Sequence, residues 1–123
     1  MKKKILLVDD KQEFRTLVKI ILQANYEVAT ASNGLEALGL LQNGYFPDLI
    51  VSDLMMPLVD GKSMILQIIA SDIYKHIPIM VLSSINQSQQ KVELLKTGAS
   101  EYLEKPFNPE ELKVRIHKLL EAG

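Results

Sequence analysis

Short runs of β-branched residues and leucine recur at positions 5–8, 28–31, 49–51, 79–82 and 101–103, and each is followed by a stretch with helical spacing. After the first run, Phe14, Leu17, Val18, Ile21 and Leu22 fall at i, i+3, i+4, i+7 and i+8, one apolar stripe along a helix that needs a sheet to cover. Asn33 with Glu36 three residues on forms a capping-box pattern that opens a second helix, and Asn108, Pro109 and Glu111 occupy the N-cap, first and third positions of the last. That last helix turns Leu112, Ile116, Leu119 and Leu120 inward; Met64, Ile65, Ile68 and Ile69 form a third stripe, and Val92 with Leu95 mark a fourth.

Five βα units with short connections predict parallel strands sandwiched by helices. The first, third and fourth runs are apolar nearly throughout, as strands buried on both faces must be. The fold expected is therefore α/β, an open doubly wound five-stranded parallel sheet, (βα)5. Ligands of such a sheet sit outside the carboxyl ends of its strands, where the strand order reverses.

The polar residues at those ends matter most. Asp9 and Asp10 follow the first strand, Asp53 the third, Ser83 and Ser84 the fourth, and Lys105 the fifth. Three carboxylates drawn together raise one another's pKa unless a cation shares the site, and Mg²⁺, which prefers hard oxygen ligands, suits them. A carboxylate so placed can attack a phosphoryl group while metal and ammonium neutralise the transferring oxygens, and Lys105 is the ammonium available. Each residue also has a plainer role. Asp10 fits the N-cap of the first helix with Glu13 at the third position, Asp53 fits a turn former, Ser83 a loop hydroxyl and Lys105 a solvated surface lysine. The joint placement at four strand ends distinguishes the first reading from the second.

Composition narrows the classes. A chain of 123 residues, 47% hydrophobic, fits one domain spanning 1–123, which can bury roughly two-thirds of its unfolded surface. With no cysteine, disulfides and thiolate metal sites are excluded, which suits a cytoplasmic location. A net charge of -1 without long single-sign blocks argues against nucleic-acid contact, and the Lys2, Lys3, Lys4 run reads as a solvated lead-in. The apolar stretch behind those lysines ends at Asp9, too soon for a secretory signal or a membrane span.

With those residues identified, the chain closely resembles the receiver domains of bacterial two-component response regulators, the CheY-like, flavodoxin-like fold. The matching text is LLVDD at 6–10, PDLIVSDLMMP at 47–57 with DG at 60–61, VLS at 81–83 and GASEYLEKPF at 98–107. The resemblance implies strand order 2-1-3-4-5 and a signalling phosphoacceptor rather than an enzyme. Asp53 would take a phosphoryl group from a sensor histidine kinase or phosphotransfer protein. Asp10 would ligate Mg²⁺ directly, Asp9 through metal-bound water, and Asp53 and the backbone carbonyl of Met55 would complete the set. Ser83 would be the switch hydroxyl, Tyr102 the aromatic switch, and Lys105, often followed by a cis proline bond, would pair with the acyl phosphate. An output protein or domain and a phosphorylation-dependent homodimer are the further partners implied. Whether the domain stands alone or belongs to a longer regulator or hybrid kinase stays open.

Three departures from the family pattern stand at four positions: Lys11 occupies a place where relatives often have an acidic or amide side chain, Ser84 replaces the small alanine common after the switch hydroxyl, and Met55 and Ile85 fill rim positions that can carry polar groups. The last pair is expected to exclude hydrolytic water and prolong the phosphorylated state, an expectation that an unchanged decay rate in Met55→Asn would overturn. Two other classes share this architecture. A haloacid-dehalogenase-type phosphatase needs a second Asp two residues after the nucleophile, where this chain has Met55. A flavodoxin-like flavin binder needs a hydroxyl- and glycine-rich phosphate loop, where residues 9–13 (DDKQE) would repel phosphate. A receiver-like domain that binds partners without phosphorylation is disfavoured because every acceptor and ligand position is filled.

Overall fold

The computed structural model describes residues 2–54, 61–84, 92–93, 95–96 and 98–121. Met55, Asp60, Ile85 and the polar stretch 86–90 lie outside them, so the expectations resting on those residues have no structural counterpart. The apolar runs become strands β1 (Lys3–Val8), β2 (Tyr26–Ala31), β3 (Leu49–Asp53), β4 (Ile79–Ser83) and β5 (Glu101–Glu104). The helices with continuous described spans are α1 (Gln12–Leu22), α2 (Gly34–Gln42), α3 (Gly61–Ala70) and α4 (Pro109–Glu121), and residues 92–93 and 95–96 are also helical. The sheet has order β2-β1-β3-β4-β5 with every neighbouring pair parallel, as expected of this doubly wound α/β fold.

Strand alternation divides the core. Leu6, Val8, Ile50, Val81 and Tyr102 face α2 and α3 and pack on Ala37, Leu41, Met64, Ile65 and Ile68. Ile5, Leu7, Leu49, Val51, Met80, Leu82 and Leu103 face the other way, onto Val18 and Leu22 of α1 and Leu112, Ile116 and Leu120 of α4. Both faces being covered explains why β3 and β4 are buried at every position.

The helix starts follow their caps with small corrections. Asn33 Oδ1 accepts from the Glu36 amide at 2.8 Å, while Glu36 reaches back to the Ser32 hydroxyl at 2.7 Å. Asn108 Oδ1 accepts from the Glu110 amide at 2.8 Å. Asp10 is not the cap of α1: Lys11 holds that position and makes no side-chain cap bond. Leu17, expected inward, is 53% exposed, because α1 buries the Val18 and Leu22 side of its stripe. Val92 and Leu95 are helical but also exposed, so they do not form the inward stripe expected.

Candidate functional site

Alternation carries the chemistry to one end of one face. Asp9, Asp53 and Lys105 share the parity of the residues on β1, β3 and β5 that face α1 and α4, so their side chains converge there. One carboxylate oxygen from each of Asp9, Asp10 and Asp53 lies within 4.8 Å of the others. Asp9 and Asp53 are buried, whereas Asp10 is exposed. The Lys105 ammonium stands 3.0 Å from Asp9 Oδ2 and 3.7 Å from Asp53 Oδ1.

The carboxylates differ in how much is left open. Asp9 Oδ1 accepts from the Lys11 amide at 2.8 Å and its Oδ2 is taken by Lys105, so both oxygens are engaged. Asp53 Oδ1 accepts from the Leu54 amide at 2.8 Å, and among the described residues no hydrogen bond reaches Oδ2. Burial pushes the Asp53 carboxyl above its usual range; Lys105 opposes this, Asp9 adds to it, the Leu54 amide opposes it and Asp10 adds to it.

The backbone beneath is fixed. The Asp9 amide donates to Ala31 O at 3.1 Å, and the Arg15 guanidinium on α1 donates to the Asp9 carbonyl at 2.6 Å, closing the turn that carries both acids. The Ser52 hydroxyl donates to Asp53 O at 2.8 Å, and Gly61 donates its amide to Leu54 O at 3.0 Å. A Cβ on Gly61 would collide with the Asp53 carbonyl, so glycine is what lets α3 begin against the end of β3.

Ser83 and Tyr102 lie on the opposite parity, facing α2 and α3. Ser83 ends β4, is buried, and accepts the Lys105 amide on its backbone carbonyl at 2.9 Å. Tyr102 pairs in register with Val81, two residues before Ser83, and is fully enclosed, not half-buried as an ordinary strand aromatic would be. The Lys105–Pro106 bond is cis. Ser84 and Lys11, the departures from the family pattern that are described, are exposed.

The response regulator receiver domain family matches residues 5–117. This chain belongs to that family. Over 97% of its length it superposes on the chemotaxis response regulator CheY4 of Vibrio cholerae, with a TM-score of 0.89 and 37% identity, covering 99% of that chain. The receiver domain of Francisella response regulator 1452 gives a TM-score of 0.91 at 34% identity, with 98% of each chain covered. Among curated proteins, the alkaline phosphatase synthesis transcriptional regulatory protein PhoP of Bacillus subtilis is 39% identical over 121 residues, which are 98% of this chain and 49% of that one. The sensor histidine kinase TmoS of Ectopseudomonas mendocina is 35% identical over 117 residues, 95% of this chain and 12% of the kinase. The receiver thus spans about half the length of such regulators and about a tenth of such kinases. As a receiver domain it has a phosphoacceptor role in two-component signalling, and its acidic cluster could hold a metal ion.

Two residues of the site were not singled out from the sequence. Phe14 counted only as part of an apolar stripe, yet its ring centroid lies 3.8 Å from the Lys105 ammonium. Arg15 gives only a faint sequence signal, a cation one helical turn into α1 from an acidic pair.

Proposed function

We propose that Asp53 is the phosphoacceptor and that its Oδ2 is the attacking atom. The observation that carries this reading is the asymmetry of the carboxylate: nearly buried at the end of β3, with one oxygen held by Leu54 and faced by Lys105 and the other without a hydrogen-bond partner among the described residues. As the Oδ2–P bond forms, the donor's N–P bond breaks and the phosphoryl group leaves a phosphohistidine imidazole on a sensor histidine kinase or phosphotransfer protein. Lys105 follows the charge, turning from Asp9 toward the phosphoryl oxygens.

The donor set is all oxygen and strongly anionic, which fits Mg²⁺. Asp10, whose carboxylate is exposed, would be the direct ligand, and Asp9, engaged through both oxygens, would act through water; Asp53 and, as the family resemblance implies, the Met55 carbonyl would complete the set. Bound there, the ion supplies charge neutralisation at the transferring phosphoryl group. Ser83 and Tyr102, on one face and two register positions apart, form the switch: the Ser83 hydroxyl approaches the modified Asp53 and Tyr102 repacks behind it. The domain, 1–123, receives and relays and is not a turnover enzyme. We place it in the cytoplasm, in keeping with the absence of any described helix long and apolar enough to cross a membrane, and give it an output protein or domain, with homodimerisation on phosphorylation, as its downstream partner.

Intact-mass measurement after incubation with acetyl phosphate tests this. A single phosphoryl adduct on wild type, not formed when Mg²⁺ is chelated before the phosphodonor is added and absent from Asp53→Ala, is expected. An adduct of equal yield on Asp53→Ala would remove Asp53 from the role.

A further inference from the structure

We infer that Phe14 is a positioning residue for Lys105, an aromatic platform that holds the ammonium at the mouth of the site. This rests on the phosphoacceptor reading above and adds a residue to it. Lys105 Nζ sits 3.8 Å from the Phe14 ring centroid, well inside the range over which a cation is drawn to the face of an aromatic ring. The ring is itself braced: Phe107 meets it edge to face, with centroids 5.9 Å apart and planes at 88°. Phe14 lies in the first turn of α1 and Phe107 two residues beyond Lys105, so the ring that faces the lysine comes from the helix and its brace from the loop that follows the lysine. The remainder of both rings packs on the core between the sheet and helices α1 and α4.

The geometry explains how one ammonium serves two carboxylates. Lys105 is only 14% exposed, and its partners stand at unequal distances, 3.0 Å for Asp9 and 3.7 Å for Asp53. A lysine tied to Asp9 alone would have to break a charged hydrogen bond to reach a phosphoryl group on Asp53. A ring face offers attraction without a fixed acceptor direction, so the ammonium can swing from one carboxylate toward the other while staying over it. An aliphatic residue at position 14 keeps the burial and loses this attraction.

The test uses wild type, Phe14→Leu and Phe14→Tyr, with Phe14→Met replacing the leucine variant should that one not fold. In proton–carbon spectra the Lys105 εCH₂ signals, assigned by their loss in Lys105→Arg, are expected upfield under the ring current in wild type and Phe14→Tyr and at ordinary lysine positions in Phe14→Leu. The initial phosphorylation rate with acetyl phosphate and Mg²⁺ is expected to fall about three- to tenfold in Phe14→Leu and to stay within about twofold of wild type in Phe14→Tyr. Wild-type Lys105 signals at ordinary positions, or an undiminished rate in a folded Phe14→Leu, overturns the platform. No adduct on wild type speaks against the phosphoacceptor reading instead, and the ring-current arm then decides the platform alone.

Discussion

Single atoms show where this domain spends stability and where it does not. The hydroxyl of Tyr45 is buried and, among the described residues, has no hydrogen-bond partner; burial first, then Glu27 and Asp48, holds it protonated above the usual phenol range. An unpaired buried hydroxyl is a desolvation loss, so Tyr45→Phe is expected to raise stability by up to about 1 kcal/mol and to leave phosphorylation untouched, as thermal melts beside the intact-mass assay will show. A lower melting point would mean that a partner outside the described residues satisfies the group. The side chains of the candidate site were legible at this scale because strand-end position is readable from hydrophobic runs, and polar residues there are few. Phe14 was not: periodicity tells which face of a helix a residue joins, but not which side chain from another element lies across it.

Between elements, the joint of β3 with α3 decides the aim of Asp53, the proposed acceptor. Gly61 donates its amide to Leu54 O, and a methyl group in place of its hydrogen meets the Asp53 carbonyl and, at 2.9 Å, the Leu54 Cα. These obstacles are backbone, so Gly61→Ala must push α3 away from the strand end or rotate the peptide that carries Asp53. We expect a loss of roughly 1–3 kcal/mol, as for other overpacked sites, together with a phosphorylation rate that falls further than the unfolded fraction accounts for. Denaturant titration paired with initial rates separates the two; a variant as stable and as fast as wild type would show that the joint gives way easily. The DG pair at 60–61 belonged to the matching text, yet its steric reason needed the structure. Helix boundaries were the other shortfall at this scale. The stripe of α1 is wider than the face it buries, which left Leu17 outside, and Val92 and Leu95 have the spacing of a buried pair without the burial.

Across the whole molecule, two apolar cores hold together an end that repels itself. Five βα units are consistent with several parallel orders, so 2-1-3-4-5 came from the resemblance and not from periodicity; the structure bears it out. That order sets β1 beside β3 and so places Asp9 and Asp10 against Asp53. The sign of the consequence follows from the raised Asp53 pKa. Between the unfolded carboxyl pKa, about 3.9, and the higher folded value, the native state binds the extra proton, so stability falls as pH rises through that window and the loss is complete above it. Asp53→Asn removes the charge and is therefore expected to melt a few degrees above wild type at pH 7 in chelator, with the difference shrinking below the unfolded carboxyl range. On the proposed reading, millimolar Mg²⁺ is expected to bind only the folded carboxylate cluster and to raise wild type by mass action, so it should narrow or reverse the gap, because the amide is a poorer ligand. A variant that melts below wild type in chelator would mean that the Lys105 pairing outweighs burial and like-charge repulsion at Asp53. The expected order ties the proposed function to energetics: the repulsion in the acidic cluster is what a cation, and then a phosphoryl group paired with Lys105, would relieve, and whatever part of that relief differs between two conformations is the free energy available to drive the switch we propose at Ser83 and Tyr102.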